Sequence, residues 1–343
     1  MWLGLSLNLR SHRLIKKKRV IKSYPVLFVS FSPRAGSRSW ASYDTLLAKS
    51  QEVDMCSFKQ ALSEDTPLQI PGVVNAYCAM MAEQAGFKAL YLSGGGVANI
   101  SYGLPDLGIT TLDNVLEDAR RITAVTDLPL LVDIDTGFGG AFSIARTIKE
   151  MQRAGVAAVH IEDQVAEKRC GHRPGKALVS TAEMCDRVKA AVDARTDEGF
   201  TIMARTDAFQ LEGIEGAIAR SKAYVEAGAD MIFAEALPSI DLYPAFCEAV
   251  GVPVLANMTE FGKTPLYGAS ALGDAGVSMV LYPRTIERAM SKAAWAMMNE
   301  LREHGTQEAA LSKMQTRDEL YTHLNYLAYE EKLDRLFKEK KHD

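Results

Sequence analysis

Four segments of this chain follow one pattern. Ala82–Ser93 reads AEQAGFKALYLS, Met151–Asp163 reads MQRAGVAAVHIED, Tyr224–Ala236 reads YVEAGADMIFAEA and Leu272–Pro283 reads LGDAGVSMVLYP. Each joins a helix end, an Ala-Gly stop, a short gap and an apolar run closing on polar residues. Glycine suits the left-handed position just past a helix, and a continuous apolar run suits a strand buried on both faces. Thr123–Asp135 and Phe246–Thr259 are variants of the unit, and Leu68–Ala76 and Thr201–Arg205 complete eight candidate strands with helical patterns between them. Eight such units predict an α/β protein of the (β/α)8 barrel class. A doubly wound open sheet is the competing architecture, but no GxGxxG follows the first strand.

The N-terminal region is compositionally foreign to this pattern. Residues 1–43 carry Arg10, Arg13, Lys16, Lys17, Lys18, Arg19, Lys22, Arg34 and Arg38, and no acid precedes Asp44. That profile fits an organellar transit peptide, or a start assigned upstream of a true Met55. The chain therefore divides into a basic extension over 1–54, a barrel over 55–300 and C-terminal helices over 301–343. A net charge of −4 argues against a nucleic-acid surface. No run of eighteen uninterrupted apolar residues offers a membrane span. The five cysteines are odd in number, scattered and without a CxxC pair, which fits reduced intracellular thiols better than a disulfide framework or a zinc site.

Barrel active sites gather where strands end. The expected ends are Asn75, Ser93, Asp133 with Asp135, Glu162, Arg205, Glu235 and Asn257. Caps and turns account for Asn75, Ser93 and Asn257 singly. They do not account for clustered acids beside an arginine, which would be costly to bury without a ligand. The set predicts a cation site facing an anionic substrate. Asp133 and Asp135 are two apart, so on a strand both point to one side, and hard oxygens at that spacing suit Mg2+. The competing reading is a pair of acids capping the next helix. Glu162 and Glu235 can join through water or hold substrate. Arg205 suits a substrate carboxylate, or an internal salt bridge to Glu162 or Glu235. Ser93-Gly94-Gly95-Gly96 suits an anion-binding nest or a flexible turn. His160, one layer below Glu162 on the same face, reads as a hydrogen-bonded core histidine.

The run Glu167–Pro174 places Cys170 among Lys168, Arg169 and His172. Such neighbours lower a thiol's pKa and let it exchange a proton near neutrality. A buried structural cysteine is the alternative, and it fits KRCGHR poorly.

These motifs occur in a telling order: SGGG at 93–96, LPDLGI at 104–109, DID at 133–135, HIEDQ at 160–164, KRCGHRP at 168–174, ARTDA at 204–208, ANMTEFG at 256–262 and MQTRDELY at 314–321. In this the chain resembles the 2-methylisocitrate lyases of the isocitrate lyase/phosphoenolpyruvate mutase superfamily, over about residues 57–340. The resemblance implies a barrel whose last helix swaps onto a neighbour in a homotetramer. It implies a cytoplasmic protein starting near Met55, or a mitochondrial one if residues 1–54 are a genuine transit peptide. It implies Mg2+ held by Asp133 and Asp135, with Asp106 and Glu162 reached through water. Substrate contacts are implied for Ser93, Gly94, Gly95, Cys170, Gly171, Arg205, Glu235, Asn257, Met258, Thr259, Arg288 and Arg317. The implied reaction cleaves 2-methylisocitrate, in the methylcitrate cycle of propionate catabolism, to pyruvate and succinate. Cys170 is its general acid, Tyr91, Glu162 or a metal-linked water its base, and His172 stands with the catalytic set. The sequence departs from the family at Gly139-Gly140-Ala141, one residue shorter than usual, and at Met258, where Ile is commoner. Isocitrate or a dimethylmalate-like acid is the alternative substrate. A phosphonopyruvate-type mutase or hydrolase, or a non-catalytic metabolite-binding barrel, is the alternative function.

Overall fold

The computed structural model describes residues 57–337; the readings of residues 1–54 and of Met55 lie outside them. Eight strands form one parallel sheet: β1 (Leu68–Pro71), β2 (Leu90–Leu92), β3 (Leu130–Asp133), β4 (Ala158–Glu162), β5 (Thr201–Thr206), β6 (Met231–Ala234), β7 (Val254–Asn257) and β8 (Met279–Tyr282). Neighbours pair in the order β1-β8-β7-β6-β5-β4-β3-β2. A bridge between Gly72 and Tyr91, with the Val73 N–H donating to Tyr91 O at 2.9 Å, closes the ring between β1 and β2. This is the expected (β/α)8 barrel.

The Ala-Gly stops do what their chemistry suggests. Gly86, Gly155, Gly228 and Gly276 all have positive φ, turning the chain from helix end to strand start. The helices are α1 (Phe58–Glu64), α2 (Ala76–Gln84), α3 (Leu112–Thr123), α4 (Ala141–Arg153), α5 (Thr181–Ala194), α6 (Phe209–Glu226), α7 (Tyr243–Val250), α8 (Ala269–Asp274), α9 (Thr285–His304), α10 (Arg317–His323) and α11 (Tyr326–Phe337). Residue 301, the expected start of the C-terminal helices, falls inside α9.

Strand alternation sorts the apolar side chains into two clusters. Outward-facing residues such as Leu90, Val132, Val159, Ile202 and Ile232 pack with the surrounding helices. Inward-facing Leu68, Leu131, Ala158, Met203, Met231, Leu255 and Met279 fill the barrel, joined by Phe58 and Ala61 of α1. Above that layer lie Tyr91, His160 and Phe233, with His160 stacked on Tyr91 and edge-on to Phe233. His160 is thus the core histidine expected, its Nε2 3.0 Å from the Tyr91 hydroxyl. The next inward positions are polar, and they form the floor of the site.

Two strand ends differ from expectation. β1 stops at Pro71, and Asn75 is the N-cap of α2, accepting from the Cys78 N–H at 2.9 Å. β3 stops at Asp133, and Asp135 follows in a left-handed turn with φ of 48°. Its approach to Asp133 therefore comes from a turn and not from the pleat.

Beyond β8 the helices bury few side chains. Along all of α9 only Glu287 is buried, while Trp295, Met298, Tyr329 and Leu333 of α9 and α11 stay exposed. Among the described residues no helix is long and apolar enough to cross a membrane.

Candidate active site

The register of the barrel builds the site from its floor. Asp133 pairs with His160, Glu162 with Arg205 and Asn257 with Leu281, and Asp133, Glu162, Arg205 and Asn257 each stand at or next to the C-terminal end of their strands. Asp133 is fixed through both oxygens: Oδ1 accepts from the Asp135 N–H at 3.0 Å and Oδ2 from the Gly94 N–H at 3.1 Å. A Cβ on Gly94 would sit 3.0 Å from Asp133 Oδ2 and 3.0 Å from Asp135 Oδ1. The two carboxylates thus converge beside Gly94. One on Gly95 would lie 2.7 Å from Asp106 Oδ2. The glycine run, expected as an anion nest, is instead a helical turn over Gly94–Gly96 capped by Ser93, which accepts from the Gly96 N–H at 3.1 Å. Its glycines serve close approach to acids.

Arg205 lies at the centre of the floor. Its guanidinium contacts Asp207 at 2.9 Å, Glu235 at 3.0 Å and Glu162 at 3.4 Å, and lies 5.0 Å over the Phe233 ring. Of the two readings of Arg205, the internal pairing with Glu162 and Glu235 is present. Glu235 also accepts from Asn257 Nδ2 at 3.3 Å and lies 2.9 Å from His172 Nε2.

The loop after β4 folds back over this floor. Its neck is pinned by the Val165 N–H donating to Ala177 O at 3.0 Å, and the Gln164 side chain braces the Arg169 backbone. A Cβ on Gly171 would lie 2.6 Å from Arg205 Nη2 and 2.6 Å from Glu235 Cγ, so the loop rests on the site and brings the exposed Cys170 to its mouth. The charges flanking Cys170 in sequence are engaged elsewhere, which corrects the expectation that they gather on the thiol. Buried Lys168 pairs with Asp106 at 3.0 Å and with Asp135. Arg169 donates to Pro174 O, and His172 Nδ1 accepts from the Lys263 N–H at 2.9 Å. That bond makes Nδ1 the acceptor and leaves Nε2 on the side of the ring facing Glu235, 2.9 Å away.

Met258 and Thr259 are buried just past β7. Half-buried Arg288 donates to Glu260 O at 3.0 Å and lies 5.5 Å over Phe261. Arg317 is not brought to the site: it is exposed in the first turn of α10, whose preceding Gln315 bonds Tyr77 of α2. The loop at Gly139 helps line a cavity of about 410 Å3 that reaches Asp135 and also touches Thr110 and Thr111.

Some residues were not singled out by motif. Lys168 stood only as a neighbour of the thiol. Asp207 and Lys176, 2.8 Å apart and both buried, form an ion pair behind Arg205. Arg284, held by Glu287 and Asn99, lies within electrostatic reach of Asp106 and Cys170. Asp207 had a signal, since it lies two residues beyond Arg205 in ARTDA. Lys168, Lys176 and Arg284 are placed by long-range folding.

The charges do not balance. Five buried carboxylates (Asp133, Asp135, Glu162, Asp207, Glu235) face three buried cations (Lys168, Lys176, Arg205), a surplus of two negative charges. Burial opposes the Asp133 carboxylate, but His160, Lys168 and Arg205 outweigh it and hold it at about 2. Burial also opposes Glu235, which Arg205 and His172 keep well below the usual range. The surplus falls on the other two. Burial pushes Asp135 up to about 6 against the pull of Lys168, and burial raises Glu162 well above its ordinary value. Both Glu162 oxygens lack a hydrogen-bond partner. A divalent cation fits this deficit in sign and size. Among the described residues no three His, Cys, Asp or Glu side chains form a ready metal cage.

The chain is similar to several known proteins. Residues 58–302 match the phosphoenolpyruvate phosphomutase family. A 2-methylisocitrate lyase of Shewanella oneidensis is 62% identical over 284 residues, covering 83% of this chain and 97% of that protein. The crystal structure of 2,3-dimethylmalate lyase superposes with a TM-score of 0.75 at 36% identity, covering 81% of this chain and 93% of that one. Phosphonopyruvate hydrolase, solved in complex with oxalate and Mg2+, gives 0.69 at 26% identity, covering 82% and 97%.

Proposed function

The chain belongs to the phosphoenolpyruvate phosphomutase family and is a carbon–carbon lyase; from that premise we propose that it cleaves 2-methylisocitrate to pyruvate and succinate with the help of Mg2+. The observation that carries this reading is Gly171 resting on Arg205 and Glu235, which brings the loop that bears Cys170 against the floor of the site. Asp133 and Asp135 would hold the metal, with Asp106 and Glu162 reaching it through water. When bound, Mg2+ supplies positive charge for the oxygen that becomes the pyruvate ketone.

The remaining chemistry belongs to side chains of this chain. Scission of the bond between the hydroxyl-bearing carbon and its neighbour requires loss of the hydroxyl proton to a base. Burial, then the charge of Asp133, raises the Tyr91 phenol well above its ordinary value, so Tyr91 suits a donor better than a base. Glu162, on the floor beside Arg205 and without a hydrogen-bond partner, is the group to which we assign that proton. The bonding electrons pass to the succinate fragment as a carbanion delocalised into its carboxylate, whose oxygens Arg205 and the Asn257–Thr259 segment hold. Cys170 then gives its thiol proton to that carbon. His172, braced between Glu235 and the Lys263 N–H, keeps the loop over the site and excludes water.

The reading extends to assembly. The exposed apolar side chains of α9 and α11 would be covered in a homotetramer with exchanged C-terminal helices, and Arg317 would then reach a site across a subunit boundary. Light scattering at the mass of four chains supports this, and a monomer rejects it. The decisive assay supplies Mg2+ with 2-methylisocitrate or isocitrate and follows pyruvate and glyoxylate separately. Pyruvate release with kcat/KM at least tenfold above glyoxylate release supports the proposal. Preference for isocitrate moves the substrate, and silence with both overturns it.

A further inference from the structure

Behind Arg205 lies a carboxylate that no substrate can touch. Asp207 is fully buried and divides its two oxygens between two elements. Oδ2 accepts from Arg205 Nε at 2.9 Å, and Oδ1 accepts from Arg205 Nη2 at 3.3 Å and from Lys176 Nζ at 2.8 Å. Lys176 stands on the returning limb of the loop that carries Cys170, next to the Ala177 carbonyl that closes the loop's neck. Asp207 is itself fixed from behind. Its N–H donates to Asp163 Oδ1 at 2.9 Å, while Asp163 Oδ2 accepts from the Thr206 and Tyr224 hydroxyls at 2.8 and 2.9 Å. Asp163 lies at the start of the same neck, where its carbonyl accepts from the Val179 N–H at 2.9 Å.

We infer that Asp207 is a positioning residue that sets the distance between the substrate-binding face of Arg205 and the Cys170 loop, gripping Arg205 directly and the loop through Lys176. The inference rests on the functional reading above, in which Arg205 holds a carboxylate and Cys170 delivers a proton. A two-oxygen grip on Nε and Nη2 fixes the plane of the guanidinium and leaves Nη1 for substrate. An amide in its place cannot accept from Arg205 and Lys176 with both atoms. It also takes from buried Lys176 its carboxylate partner, a state that costs stability by itself. A purely structural role and a positioning role therefore separate once that cation is removed.

The test uses full-length Asp207→Asn, Lys176→Met and the double variant. Readouts are kcat and KM for pyruvate release from 2-methylisocitrate with Mg2+, the rate at which iodoacetamide modifies Cys170 in the substrate-free protein, and Tm. Asp207→Asn is expected to raise KM at least tenfold, lower kcat and lower Tm. Lys176→Met is expected to speed Cys170 modification several-fold and lower kcat, with KM within twofold. The double variant recovers Tm but keeps the raised KM and the faster modification. Should Asp207→Asn fail to accumulate folded, the double variant carries the same readouts. Recovery of KM and kcat together with Tm in the double variant reduces Asp207 to a structural role and overturns the inference. Wild-type values in Asp207→Asn do the same. A wild-type protein silent on 2-methylisocitrate refutes the functional reading instead, and an unchanged Cys170 modification rate in Lys176→Met then overturns this one separately.

Discussion

Replacing Gly171 by alanine tests whether the loop must touch the site for turnover. A Cβ there would lie 2.6 Å from Arg205 Nη2, 2.6 Å from Glu235 Cγ and 2.8 Å from Glu235 Cδ. Ordinary contact begins at 3.4 Å. Neither neighbour is free to retreat, since Asp207 and Glu162 hold Arg205 while Asn257 and His172 hold Glu235. Gly171 is outside the left-handed region, so alanine adds no backbone strain of its own. The loop, exposed at Arg169, Cys170 and Arg173, is the part that yields. Its withdrawal by roughly 0.8 Å approaches the 1 Å misplacement that costs about 10²-fold in rate. Gly171→Ala is therefore expected to lose about 10²-fold in kcat, read as NADH consumption with lactate dehydrogenase reducing the released pyruvate. Tm should stay within about 2 °C of wild type, and iodoacetamide should modify Cys170 faster. Wild-type kcat in this variant refutes the claim that the loop acts in the position described. So does a large fall in Tm with unchanged Cys170 modification, which would place the clash in the fold and not in the loop.

Other residues make separate claims. Cys170→Ser is expected to lose about 10²- to 10⁴-fold in kcat while calorimetry still registers Mg2+ and substrate; near-normal turnover rejects the general acid. Mg2+ at about 100 times its Kd should stabilise the wild type by about 2.7 kcal/mol, and Asp133→Asn should abolish that gain in thermal melts; an equal gain in both moves the metal elsewhere. Gly72→Ala would drive a Cβ to 1.9 Å from the Pro283 carbonyl oxygen at the closing seam of the barrel, and urea unfolding should show a loss of about 3 kcal/mol; a smaller loss than 1 kcal/mol would mean that the seam is soft. Burial pushes His160 down to about 4 from its ordinary 6.5. The folded chain refuses a proton that the unfolded chain accepts, so the contribution present above pH 6.5 is lost as pH falls toward 4, up to roughly 3 kcal/mol. The stability advantage of wild type over His160→Gln should shrink across that window, and a constant difference contradicts the buried neutral imidazole.

The barrel was legible because its signals are local. An Ala-Gly stop and a run buried on both faces can each be read within a dozen residues, and Gly86, Gly155, Gly228 and Gly276 took the backbone their chemistry allows. Strand ends were less legible, because alternation holds only while the chain stays extended. It fails at Asp135, whose φ of 48° breaks the two-residue period, although the carboxylate still arrives beside Asp133. The same period applied to ARTDA reaches Asp207 from Arg205, so that residue was within reach of the sequence. Lys168 was not. Its ammonium meets Asp106 and Asp135 only because the loop folds back across the barrel mouth, and no spacing rule links positions so far apart in the chain. The charge surplus follows the same logic. Each acid is visible singly, but only the assembled mouth shows five buried carboxylates against three cations, with the imbalance carried as raised pKa at Asp135 and Glu162. A site that strains its own carboxylates in this way gains from a divalent guest in proportion to the strain, which is why metal-dependent stabilisation reads the chemistry of this mouth independently of turnover.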